Sequence, residues 1–164
     1  MDILSEFAVK VYRPPLSELR DSGRIGDTSD VVCAAMLVVD FETEVTMSGI
    51  VDFIGNSTGR FATETVAALE LIGCTKEAEC LRRILAAAAV AGMTHEAIQR
   101  ERAGLELFAI TSFSRLHGSK WDDVVKTIDE VFDTIDLSTI MLRLAAFMDR
   151  HQAVFEKAIG RASA

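Results

Sequence analysis

The chain is poor in the residues that staple small or exported folds. Its three cysteines, Cys33, Cys74 and Cys80, are odd in number and show neither CxxC nor Cys/His spacing. That argues against a disulfide framework and a metal site, and for a reducing compartment. They read as small core residues. Two prolines, one tryptophan and one tyrosine, with aromatics at 7% of the chain, are a thin supply for a sandwich of short strands. The longest apolar run, residues 84–93, is about half of the roughly 20 residues that span a bilayer, so no membrane partner is expected. The first residues are acidic and lack the basic start and apolar run of a signal peptide, which points to a cytoplasmic protein. Asn56-Ser57-Thr58 fits the N-glycosylation pattern, but without a secretory route it reads as a turn.

Hydrophobic residues fill 49% of the 164 positions, many in alanine-rich runs. That size and balance predict an all-α fold, a single compact domain over residues 1–164 with about seven helices. An amphipathic helix over 2–13 stops at Pro14-Pro15. The Asp27-Thr28-Ser29-Asp30 cluster starts the next helix, which from Val31 to Val39 is apolar without a break and is expected to be central and buried. An irregular Gly-rich turn follows near 48–59. Helices over 61–72 and 75–91 form a hairpin, with Gly73 as left-handed stop, Thr75 as cap and Gly92 as the second stop. A weaker helix over 94–109 and an irregular stretch over 111–120 come next. Amphipathic helices over 121–136, capped by Ser119, and over 138–159 close the chain.

Three motifs invite a chemical reading. Gly55-Asn56-Ser57-Thr58-Gly59 fits the nucleophile-elbow pattern, yet no strand-helix-strand units accompany it, so Ser57 reads as part of a turn entering a helix cap. His95-Glu96 begins like a zinc-protease motif, but Gln99 stands where the second histidine is needed. None of His95, His117 and His151 is placed by sequence near Ser57, and His151 lies on an apolar stripe. No catalytic residue, metal or cofactor is assigned. Within 48–59 the glycines permit the bend, while Asn56, Ser57 or Thr58 cap the next helix. Valine at Gly59 is expected to destabilise the protein if φ is positive there.

Acidic residues outnumber basic ones by 25 to 17, for a formal charge of −8, so direct binding to nucleic acid is not expected. At 3.6 residues per turn Asp122, Asp129, Asp133 and Asp136 fall within a narrow arc, with Asp123 and Glu130 to one side and Lys126 interrupting. The four central carboxylates rise by roughly 5 to 10 Å between neighbours, against about 3.4 Å between phosphates of a DNA strand. A surface imitating DNA therefore needs a second copy, or further acids such as Asp40, Glu42 and Glu44, to complete it.

Glu44, Val45, Gly49, Phe53, Asn56, Ser57, Gly59, Leu69, Ile72 and Gly73 together resemble the motif order of a bacterial family of helical proteins that includes a dimeric DNA mimic. The likeness is strongest over 44–73 and 121–155. Thr46, Met47, Ser48, Asp52 and Arg60 depart from the family pattern. The resemblance implies an all-helical homodimer without known enzymatic activity; in the characterised member an acidic surface occupies the DNA-binding face of a transcription regulator. The expectation is an acidic protein-interaction module for a basic partner, a DNA-binding regulator being the suggested case, with its surface at Asp122, Asp129, Glu130, Asp133 and Asp136. Glu44, Gly49, Phe53, Asn56, Ser57, Gly59 and Gly73 form its structural motif. One alternative is an enzyme or small-molecule binder with a pocket near Glu44, Asp52 and Ser57. Another is a toxin-neutralising protein, which makes the same charge prediction.

Overall fold

The computed structural model describes residues 2–104, 106 and 118–161. These form ten α-helices and three 3₁₀ turns, with no strand among the described residues. The all-α class holds, and the expected helix count of about seven rises because several predicted helices are cut by caps and tight turns. The helices are α1 (Ile3–Lys10), α2 (Leu16–Asp21), α3 (Val31–Ser48), α4 (Ile50–Gly55), α5 (Ala62–Leu71), α6 (Thr75–Val90), α7 (His95–Arg102), α8 (Lys120–Val131), α9 (Leu137–Arg150) and α10 (Gln152–Ala158). The expected helix over 94–109 stops at Arg102, with Ala103 and Gly104 in a turn; residues 105 and 107–117, with His117 and most of the irregular stretch over 111–120, lie outside the described residues.

Helix α3 is the axis. Asp30 caps it, its carboxylate accepting from the Val32 and Cys33 N–H groups at 2.8 and 3.4 Å, which satisfies donors that a helix start leaves bare. Val32 through Phe41 are all buried, so this helix has no solvent face over three turns. It packs against α4, α5, α9 and α10, and one apolar core runs from Phe7 to Ile159. The three cysteines are buried and free, as expected of small core residues.

The Gly-rich turn is the main correction to the expected fold. Ser48 ends α3, Gly49 reverses the chain at φ 88°, and the rest is helical: α4, then a 3₁₀ turn over Ser57–Phe61. The glycines concentrate the bend at one residue and leave the flanks free to close helical hydrogen bonds. Helices α5 and α6 form the expected hairpin, with Gly73 left-handed at φ 89° and the Cys74 N–H returning to the Leu69 carbonyl. Cys74, rather than Thr75, occupies the cap position, and no side-chain bond is made there.

The last two expected helices are each interrupted. Helix α8 ends at Val131, a 3₁₀ turn covers Phe132–Thr134, and Asp136 caps α9. His151 then separates α9 from α10 at φ −117° and ψ 27°. Among the described residues no helix is long and apolar enough to cross a membrane.

Candidate functional site

The 44–59 motif is built around a buried carboxylate. Glu44 lies in the last turns of α3 and is 2% exposed. It accepts from Asn56 Nδ2 and from Thr58 Oγ1, the latter at 3.1 Å. A buried charge needs such donors, and here they come from the segment after Gly49, so the carboxylate holds the folded-back chain against its own helix. Asn56 and Thr58 are thereby committed to Glu44. Neither they nor Ser57 makes a side-chain cap on the next helices, contrary to expectation. Phe53 meets Phe41 edge to face at 4.9 Å, closing the apolar side of the same fold-back.

Gly59 is needed for a different reason from the one expected. It is not among the positive-φ glycines; a Cβ there would lie 2.5 Å from the Ile54 carbonyl oxygen and 2.6 Å from that of Phe53. The constraint is a close backbone approach, not handedness.

Beside this motif, Arg20 of α2 grips Asp40 of α3. Its Nη2 reaches the two carboxylate oxygens at 2.7 and 2.9 Å, its Nε reaches one at 3.1 Å, and its Nη1 donates to the Val11 carbonyl at 3.0 Å. The guanidinium also lies 5.3 Å from the centre of the Tyr12 ring. Burial raises the Asp40 carboxyl to about 6, the Arg20 charge offsetting only part of that shift. Between α2, the Ser57–Phe61 turn and α7 opens a pocket of about 220 Å³ lined by Arg20, Asp40, Ser57, Thr58, Arg60 and Arg102, with Asp21 and others. Arg102 is almost fully buried, with Nε 3.5 Å from the Ile54 carbonyl and Nη1 3.3 Å from Glu101. Burial lowers its pKa and Glu101 works the other way, leaving it a cation at neutral pH.

The small-molecule alternative is thus redistributed. Ser57 lines the pocket, whereas Glu44 and Asp52 do not. The Ser57 hydroxyl is buried and meets no hydrogen-bond partner among the described residues, so none of them is placed to activate it as a base would. His95 faces Glu64 at 3.7 Å, and His151 packs on Phe147 at 4.7 Å. No group of residues with metal-binding spacing occurs among the described residues.

The acidic residues separate by environment. Asp122, Asp123, Asp129, Glu130, Asp133 and Asp136 are all exposed. Asp122 and Asp123 sit in the first turn of α8, where a negative charge also complements the helix dipole. Glu130 is 3.5 Å from Arg83 of α6. Asp136 is occupied as a cap, accepting from the Ser138 and Thr139 N–H groups and hydroxyls, and these bonds, the Ser138 hydroxyl foremost, lower its pKa to about 2. Asp129 and Asp133 make no hydrogen bond or ion pair among the described residues. Because α8 ends at Val131, the four central aspartates do not share one helix. Asp40 and Glu44, expected as possible additions to this surface, are 5% and 2% exposed and face inward because α3 is buried all round.

Sequence reasoning missed Arg20, Arg60 and Arg102. Two signals were present: a lone Asp40 inside an unbroken apolar helix demands a cation, and Arg102 follows Ile98 by four residues, on the same inward face.

Together these features define an all-helical protein with a buried polar clasp inside and a group of exposed carboxylates outside. Residues 27–151 match the family model described as DMP19-like protein, and the chain belongs to that family, which is one of DNA-mimic proteins. No curated protein and no solved structure matches the chain.

Proposed function

We propose that this chain is a DNA-mimic-type interaction protein whose exposed carboxylates engage the DNA-binding surface of a basic protein. Membership of the DNA-mimic family carries the reading. The exposed acids at Asp122, Asp129, Glu130 and Asp133, in a chain of net charge −8, support it. Asp129 and Asp133 contribute most, since no internal bond employs them. Asp136 contributes less, because its oxygens already serve α9. With Asp40 and Glu44 buried, a continuous imitation of phosphate spacing draws on a second copy of the chain, so the active species is a homodimer.

The test is capture from a cell lysate at low and moderate salt, comparing wild type with a variant carrying Asp122→Lys, Asp129→Lys and Asp133→Lys. Asp136 is left intact to spare the cap. The expected result is retention of a basic DNA-binding protein by wild type, weakened by salt and lost in the variant. Equal retention by both would sink the proposal. A captured toxin in place of a DNA-binding protein would favour the toxin-neutralising reading.

A further inference from the structure

The pocket beside the Glu44 clasp holds donors that lack acceptors. Ser57 Oγ and Arg60 Nε are both buried and both without a hydrogen-bond partner among the described residues. Both residues line the same pocket, together with Arg20 and Arg102. A guanidinium can only donate, and leaving a buried donor unmade costs about 1 to 3 kcal/mol, so the wall they form is complementary to an acceptor.

Charge points the same way. The Arg20 charge is matched by Asp40 at 2.7 Å. Arg102 has Glu101 at 3.3 Å. Arg60 has no carboxylate within ion-pair distance among the described residues, and its guanidinium lies 5.1 Å from the centre of the Phe61 ring. Asp21, the second carboxylate of the lining, is exposed. The Arg60 charge is thus left unmatched by any ion pair in the hollow among the described residues, and the donors that face it come from two elements, the Ser57–Phe61 turn and α7, while Arg20 is taken up by Asp40 and the Val11 carbonyl.

We infer that this hollow binds a tetrahedral oxyanion of the phosphate class, held by Arg60 Nε and the Ser57 hydroxyl with Arg102 alongside. A tetrahedral anion presents acceptors in several directions, which suits donors arriving from separate elements better than a planar carboxylate does. Thr58 plays no part, because its hydroxyl is committed to Glu44. The site is independent of the acidic surface and of any macromolecular partner.

The test is titration of the full chain with inorganic phosphate, by calorimetry and by melting temperature, against sodium acetate and sodium chloride at matched ionic strength. Ligand that binds only the native state raises the melting temperature with a saturable dependence on its concentration. Saturable stabilisation by millimolar phosphate is expected, with a smaller effect of acetate and none of chloride. Arg60→Gln should weaken phosphate binding by about tenfold or more, the loss of one charge-assisted contact. Ser57→Ala should weaken it by about 3- to 10-fold. In phosphate-free buffer Ser57→Ala should melt no lower than wild type, since the hydroxyl it removes is buried and unpaired there, so lost binding cannot be ascribed to misfolding. A phosphate response no larger than that of chloride, or equal responses of wild type and both variants, would overturn the site. Equal effects of acetate and phosphate would overturn the tetrahedral class.

Discussion

At Gly59 even a methyl group would meet two carbonyl oxygens at 2.5 and 2.6 Å, whereas at Gly49 a Cβ has open space and only the left-handed φ of 88° opposes it. The two glycines should therefore respond differently. Gly49→Ala is expected to cost about 1 to 3 kcal/mol, since φ 88° with ψ 172° is a backbone region essentially confined to glycine, and Gly59→Ala more than about 3 kcal/mol, because backbone must move. Urea denaturation of the two variants checks the order, and a larger loss at Gly49 would contradict the geometry. At Arg20, replacement by glutamine strands Asp40 and should destabilise by about 3 to 5 kcal/mol, while apolar replacement of both partners should restore much of that. The Asp40 carboxyl titrates at about 6 in the fold against 3.8 normally. A raised carboxyl means that the folded chain holds the proton more tightly than the unfolded chain. Its contribution to stability thus falls as pH rises from about 4 to about 6. Asp40→Asn should lack that component of the pH dependence.

At the scale of elements, the junction between α8 and α9 shows where charge serves structure. Asp136 binds two N–H groups and two hydroxyls at the start of α9, and its pKa falls to about 2 from 3.8. A lowered carboxyl stabilises above its unfolded pKa and loses that effect as pH drops through the folded one. Asp136→Ala should melt below wild type at neutral pH, the gap narrowing as pH falls from about 4 towards 2; a gap constant with pH would contradict the cap. This junction was not legible in the apolar pattern, because Val131, Phe132 and Ile135 keep the helical rhythm across a break set by Asp136, Ser138 and Thr139. Helix α3 was legible, since an unbroken apolar run and the Asp30 cap are both local. So were Gly73 and Gly92, left-handed at φ 89° and 91°. The Arg20–Asp40 pair, the Glu44 clasp and the hollow at Arg60 were not, because their partners lie 12 or more residues apart and only the packing of α3 brings them together.

At the scale of the molecule, the charge of −8 is spread unevenly. Asp40 and Glu44 are spent inside, Asp136 on a cap, and Asp129 and Asp133 are left facing outward without internal partners among the described residues. A protein that presents carboxylates in place of phosphates must depend on where they stand and not on net charge alone. Reversing Glu18 and Asp149, exposed acids on α2 and α9, should leave partner capture near the wild-type level, whereas the Asp122, Asp129 and Asp133 reversals abolish it. The most direct measurement is competition: the captured partner, held on immobilised wild-type protein, is challenged with increasing duplex DNA. Mimicry predicts that duplex releases the partner over the concentration range in which the partner binds that duplex, because protein and DNA share one surface. A partner that stays bound while saturated with DNA would show two separate surfaces and contradict the mimic.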